Sequence, residues 1–169
     1  SKAFLDRASH IAGVGGWSWD VRSNALYWTD GNCHIYDREP GYHPPADAPL
    51  EHYEGESQLR LRAAARRALE TGEPWDLELQ ALTAKGRTIW VRNVGQVEYE
   101  DGQAVRLVGA SVDITTQREA RIKQAKTTAL LLNVLDSAFE ISIIATDVDL
   151  NITIFNTGSE RLLGYRFEE

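Results

Sequence analysis

The chain has 169 residues, a formal net charge of -7, one cysteine and no methionine. The acidic balance argues against a nucleic-acid surface, the lone cysteine excludes an intramolecular disulfide and suits a reducing compartment, and no apolar run is long enough to span a bilayer. The opening SKAF lacks Met, so the sequence reads as an excised fragment holding one domain and part of another.

Residues 2–12, KAFLDRASHIA, place Phe4, Leu5, Ala8 and Ile11 at helical spacing, and Gly13 with Gly15-Gly16 ends that helix. WSWDV alternates large and polar residues and reads as a strand, RSN as a turn and ALYW as the returning strand. Thr29 or Asp30 caps a short helix through Tyr36. The loop REPGYHPPADAP follows, dense in Pro and Gly. Ser57 is the expected cap of the next helix. Its apolar stripe is Leu61, Ala64, Ala65, Ala68 and Leu69; Arg60, Arg62, Arg66 and Arg67 lie away from the stripe, and Gly72 stops the helix.

Three strands are expected at about 75–83, 88–99 and 103–113, with turns in AKGR and EDGQ. A three-residue loop, Glu100 to Gly102, sets Val97 opposite Val105 and Gly95 opposite Leu107, matching like with like. One face then carries Ile89, Val91, Asn93, Gly95, Val105, Leu107, Gly109 and Ser111, joined by Trp75, Leu77, Leu79 and Ala81. Glu78 and Arg92 lie diagonal on the other face and are expected to pair. Trp90, Val94, Val108, Ala110 and Val112 make that outer face too apolar for water, so the N-terminal helix is expected to cover it, with a partner subunit as the alternative.

From Thr116 to about Phe139 the pattern is one long helix, opened by a Thr116/Glu119 capping box. Ile122, Ala125, Ala129 and Leu132 form a seam like that of a short coiled coil, broken by Asp136. ISIIATDVDLNITIFN is then a second hairpin. Shifted by 127 it falls on the first without a gap: Asp20 on Asp147, Val21 on Val148, Asn24 on Asn151 and Gly31 on Gly158. Trp28 falls on Phe155 and Ile35 on Leu162. A period of this length is that of a small domain, not of a solenoid unit.

GGWSWDVRSNALYWTD, ALETGEPWDLELQALTAKGRTIWVR and DGQAVRLVGASVDIT together resemble a PAS domain, and ATDVDLNITIFNTGSERLLGYRFEE resembles the opening of another. The resemblance implies an α+β fold: a five-stranded antiparallel sheet of order 2-1-5-4-3 with helices on one face, then a long connector helix and a truncated second hairpin. The expected boundaries are a flanking helix over 1–12, a PAS sensory domain over 13–115, a connector over 116–139 and the beginning of a second PAS domain over 140–169. It implies a non-enzymatic bacterial sensor that receives a small ligand or partner between sheet and helices. The signal passes through the C-terminal helix to a diguanylate cyclase or histidine kinase, as in two-component systems. The expected partners are a second copy, in a homodimer, and that output domain, with no nucleic acid and no membrane contact; the expected location is cytoplasmic. The rival reading is a ligand-free module for dimerisation and relay.

The candidate pocket residues are Trp17, Trp19, Trp75, Leu61, Ala65, Val91, Asn93 and Ser111. Flavin-binding relatives place an amide at the position of Ser111; Asn93 joins it on the same face. Either the two orient a ligand, or they bond backbone or a trapped water. Likewise, Trp17, Trp19 and Trp75 either fill the pocket or stack on a planar ligand. Ligand sensing requires a cavity of about 300 Å3 or more. The signal-output candidates are Asp113 and Thr115 of DIT, with Ile122 and Leu132 of the seam.

The cofactor is left unknown, and none is one reading. The flavin photosensor branch places its adduct-forming NC pair after the Gly-Tyr element, whereas Asn32-Cys33 precedes Gly41-Tyr42; Cys33 reads as an ordinary thiol. Haem-binding relatives supply an axial His from the long helix, and residues 57–71 contain none, leaving His52 as the sole substitute. Cys33, His34, His43 and His52 lack paired zinc-ligand spacing, and all four histidines are expected in loops or at the surface. No metal site and no catalytic constellation is expected.

Overall fold

The computed structural model describes residues 9, 11–46, 49–138 and 140–168. It divides into two compact units, one ending at Arg118 and one beginning at Glu119. Of the expected helix over 2–12, Phe4, Leu5 and Ala8 lie outside the described residues, and Ile11 is exposed.

The first unit contains strands β1 (Val14–Asp20) and β2 (Leu26–Trp28), then helices α1 (Asp30–Ile35) and α2 (Gly55–Thr71). Strands β3 (Trp75–Leu82), β4 (Thr88–Glu100) and β5 (Gln103–Asp113) complete it. The five strands form one antiparallel sheet of order β2-β1-β5-β4-β3. Period-two alternation puts Leu79, Ala81, Ile89 and Val91 on one face, where they pack with Ile35, Tyr36 and Leu61 from the helical side. The opposite face stays half-buried at Trp90, Val94 and Val108.

The β4–β5 hairpin departs from the expected register. Asp101 and Gly102 both take positive φ, 48° and 75°, so they form a two-residue turn that twists with its strands. A bulge follows: Glu98 pairs with Arg106 and Tyr99 with Ala104, which leaves Val105 as the extra residue. Val97 therefore faces Leu107 and Gly95 faces Gly109. The face assignment survives, because turn and bulge together displace the strand by an even number of positions from the expected register.

Ion pairs on the outer face are also redrawn. Glu78 lies directly opposite Arg92 rather than diagonal to it. Arg92 donates from Nε to Asp76 Oδ1 at 2.8 Å, and Glu78 accepts from Arg118 at 2.8 Å. At the start of α2 the cap is Glu54, which makes no side-chain cap bond. Ser57 lies inside the first turn, where its Oγ accepts the Gln80 N–H at 3.0 Å. Gly72 ends the helix at φ 78°.

Helix α3 (Thr115–Ser137) starts one residue before the expected capping Thr116. The second unit then holds a two-stranded sheet of β6 (Ile144–Thr146) and β7 (Ile152–Phe155), followed by helix α4 (Thr157–Leu163). The contacts of its first turn repeat those of the first unit at the same offset of 127. Trp17 pairs with Trp28, and Ile144 with Phe155. Thr29 caps α1 by accepting from Asn32 N, and Asn156 caps α4 by accepting from Ser159 N. The Gly16 N–H bonds the Thr29 hydroxyl, and the Ile143 N–H bonds the Asn156 side chain. Thr29 N donates to Gly16 O, and Asn156 N to Ile143 O. The hairpin tip differs. A bulge between Ala145 and Thr146 shortens the second loop, and its positive φ falls on Leu150 rather than Asn24.

Both helices carry a glycine as their second residue, each against a backbone carbonyl. A Cβ at Gly31 would lie 2.5 Å from Val14 O, and one at Gly158 would strike Ile141 O. Gly→Ala inside a helix ordinarily stabilises. Here Gly31→Ala should instead cost about 1–3 kcal/mol, as overpacking does. Urea denaturation followed by tryptophan fluorescence checks the sign, and a variant as stable as the parent would contradict the packing.

Candidate functional site

Gly95 of β4 faces Gly109 of β5. Trp75 pairs across from Gly95, and Trp17 across from Gly109. A Cβ on either glycine would strike the indole beside it, so both rings lie flat across the bare backbone. They stack with centroids 5.7 Å apart and planes 21° from parallel. On the helical side of this sheet, a cavity of about 450 Å3 remains.

Seven of the eight expected pocket residues line it: Trp17, Trp19, Trp75, Leu61, Ala65, Asn93 and Ser111. Val91 does not. It is wholly buried in the apolar cluster with Leu79 and Ile89. Further wall residues are Trp28, Tyr36 and Tyr53, with Asn32 among them and Arg62 and Arg66 of α2. Trp28 stacks on Tyr36 at 4.8 Å. Their aromatic character is visible in the sequence, but their convergence depends on how α1 and the following loop fold back.

The polar groups of the wall fall into two kinds. Trp75 Nε1 donates to Asn93 Oδ1 at 2.8 Å, and Asn93 Nδ2 donates to Ser111 Oγ at 3.3 Å. The expected Asn93–Ser111 pair is thus satisfied from within. The Tyr36 and Tyr53 hydroxyls bond each other. Burial pushes the Tyr36 phenol up to about 12 and holds the Tyr53 phenol well above its ordinary 10, so both stay protonated. The second kind is unpaired: Trp17 Nε1 and Asn32 Oδ1 are buried with no hydrogen-bond partner among the described residues.

Cys33 is fully buried, and its thiol donates to Tyr42 O at 3.4 Å. Desolvation raises its pKa, and it is not among the cavity's lining residues. His52 lies in the turn before α2, a loop position as expected, but it is buried, only 5% exposed. Its Nδ1 sits 2.7 Å from Leu82 O and its Nε2 accepts from Arg38 Nε at 3.3 Å, which fixes a neutral tautomer. It does not line the cavity either. His34 and His43 are exposed. No cluster that could hold a metal occurs among the described residues.

At the far end of β5, Asp113 Oδ1 accepts the Thr115 N–H at 2.9 Å and the Thr115 hydroxyl at 2.6 Å. The same hydroxyl accepts the Trp90 N–H at 2.9 Å, and Ile114 N donates to Trp90 O at 2.8 Å. Arg118 lies over the Trp90 ring at 3.8 Å. The first turn of α3 is thereby fastened to β4 and β5. Ile122 and Leu132 further along are 45% and 56% exposed.

Two outcomes follow from this chemistry. Asp113→Ala removes the carboxylate that accepts the Thr115 N–H and hydroxyl at the start of α3 and should lower stability by about 1 kcal/mol, the scale of a lost helix-end bond, read by chemical denaturation. Burial, the largest cause, lowers the His52 pKa from its ordinary 6.5. Below that pH the unfolded chain takes up a proton that the folded chain refuses. Stability is therefore intact above about pH 6.5 and falls as the pH drops toward the folded value. Between pH 8 and 5 the parent's urea midpoint should fall more than that of His52→Gln; equal slopes would refute a buried neutral imidazole.

The family described as PAS fold matches residues 25–111. The chain is 24% identical over 163 residues to "Probable diguanylate cyclase DgcE" of Escherichia coli (strain K12), covering 96% of this chain and 15% of that protein. It is 25% identical over 158 residues to "Sensor protein FixL" of Bradyrhizobium diazoefficiens, covering 90% of this chain and 30% of that protein. The chain therefore spans less than a third of either relative. A sensory box histidine kinase/response regulator from Burkholderia thailandensis E264 shares the fold at a TM-score of 0.58 and 24% identity, covering 75% of this chain and 96% of that one. Sheet order, helical face and family match agree: the chain belongs to the PAS fold family.

Proposed function

We propose that this chain is the sensory part of a larger signalling protein. A small molecule enters the cavity over Trp17 and Trp75, and its occupancy is relayed through Asp113 and Thr115 into α3. The observation that carries this reading is the unfilled aromatic cavity with a buried, unpaired indole N–H in its wall. A ligand-free relay module would have filled the space with its own tryptophans.

The similarity to a diguanylate cyclase and to a sensor protein supports an output domain of the cyclase or histidine-kinase kind in the same protein. The PAS region itself is then regulatory, with no catalytic role. The repeated cap, hairpin and glycine contacts support a second PAS domain opening at about residue 140, with α3 as the connector. The exposed Ile122 and Leu132 support a homodimer through the connector seam. No described helix is long and apolar enough to cross a membrane. A cytoplasmic location fits, with no role for nucleic acid or membrane contact in this region. Cys33 and His52, both outside the cavity wall, offer no support for a flavin adduct or a haem ligand.

Native mass spectrometry and an absorbance spectrum of the purified chain test the sensor reading. The expected result is a mass above that of the chain by one small molecule, without a flavin or haem band. A bare mass, together with no thermal shift across a metabolite panel, would favour the ligand-free relay. Light scattering tests the seam: the parent should be a dimer and the Ile122→Asp, Leu132→Asp variant a monomer with unchanged helicity. A monomeric parent would remove the seam.

A further inference from the structure

We infer that the cavity takes an aromatic acid: a flat one- or two-ring molecule whose carboxylate meets Arg62 and Arg66 and whose far end accepts the Trp17 indole N–H. The inference rests on the proposed reading that the cavity holds a ligand, and it names the ligand's class.

Three independent observations converge on this chemistry. The first is shape. Trp17 stacks with Trp75 and Trp28 with Tyr36, so the walls present flat π faces that favour a planar guest. A volume of about 450 Å3 suits a guest of that size.

The second is charge. The whole chain is acidic, at -7, yet the only charged side chains among the described lining residues are two arginines. Arg62 and Arg66 stand four residues apart on α2, hence on one face of the helix. Neither has an ion-pair partner among the described residues. Both are exposed, which puts them at the solvent end of the cavity. Two free guanidiniums at the mouth of an apolar cleft suit a planar carboxylate, which they can bind by paired hydrogen bonds.

The third is the unpaired donor. Trp17 Nε1 is buried with no hydrogen-bond partner among the described residues. A buried donor left unmade costs free energy, and a hydroxyl or carbonyl oxygen on the guest would satisfy it. A hydroxyl could in turn donate to an acceptor such as Asn32 Oδ1, also unpaired.

Isothermal titration of the full chain with 6-hydroxy-2-naphthoate, 2-naphthoate and 2-naphthol tests the class. The hydroxy acid should bind tightest. The Arg62→Ala, Arg66→Ala variant changes exposed helix positions to the best helix former, so it should fold. It should lose both acids by tenfold or more and keep 2-naphthol within twofold. Trp17→Phe keeps a ring and deletes the N–H; it should weaken the two hydroxylated probes and spare 2-naphthoate. If 2-naphthol matches the hydroxy acid, or the arginine variant binds the acids unchanged, the acid inference is overturned while the sensor reading stands. If none of the three binds, the aromatic-acid class is wrong, and a small molecule still found on the chain by native mass spectrometry would preserve the sensor reading alone.

Discussion

Gly95 and Gly109 face each other at the centre of the sheet, and the cavity depends on their having no side chains. With a Cβ at either place, Trp17 or Trp75 would be forced off the backbone and into the space above it. With hydrogen there, each indole lies down across its partner strand and becomes wall. Glycine inside a strand ordinarily weakens it. Here the lost strand propensity is offset by two large rings buried against backbone and against each other. The same flat packing leaves the Trp75 N–H bonded to Asn93 and the Trp17 N–H without a partner among the described residues.

A second bare surface sets the helix that closes one side of the cavity. The first turn of α1 rests directly on β1, with Gly31 against the Val14 carbonyl and Asn32 against Gly15. That contact places Asn32 and, one turn on, Tyr36 in the cavity wall. The second unit repeats the contact with other residues: Asn156 in place of Thr29, Ser159 in place of Asn32, and Ile141 beneath Gly158. Side chains differ at nearly every position, and what is kept is a cap, a glycine and a backbone carbonyl. Asn156 does more than its counterpart, since its Nδ2 also donates to the carbonyls of Leu135, Ala138 and Ile141. The end of α3 is tied by that one amide to the hairpin that follows it.

Strand faces are legible in the sequence because alternation is a local property: it suffices to put Trp75, Asn93 and Ser111 on one face. The opposing pairs are not legible, because an Asp-Gly turn and a bulge at Val105 act together and each alone implies a different register. Alternation puts Val91 on the correct face too, but Val91 lies too far along its strand to reach the cavity. A helical stripe assigns Arg62 and Arg66 to solvent because it describes one helix in isolation, and an arginine is long enough to reach round its edge. His52 is a loop residue as the sequence reads, but its burial is not legible, because its partner is the Leu82 carbonyl thirty positions away. The expected Ser57 cap lies three residues past the observed cap Glu54, and the expected Thr116 cap lies one residue past Thr115, the first residue of α3; helix ends are the least sharply marked part of a sequence.

The sheet also explains why a change in the cavity need not travel far to reach α3. Ser111 lines the cavity, and Asp113, two residues on, holds the first turn of α3. Asn93 bonds Ser111, while Trp90 of the same strand is bonded both to Ile114 and to Thr115. Both strands that floor the cavity therefore end at one knot of backbone and hydroxyl bonds. Arg118 adds a third tether, to Glu78 of β3 and over the Trp90 ring. A guest that pressed on the Trp17–Trp75 stack would act on β4 and β5 through Gly95 and Gly109, within the same ladder that carries Asp113. Relative movement of the two strands would strain the Asp113 and Trp90 bonds to Thr115 differently, since one is a side-chain carboxylate and the other a ladder amide. On the proposed reading, relay into α3 would therefore require no contact between the guest and the helix.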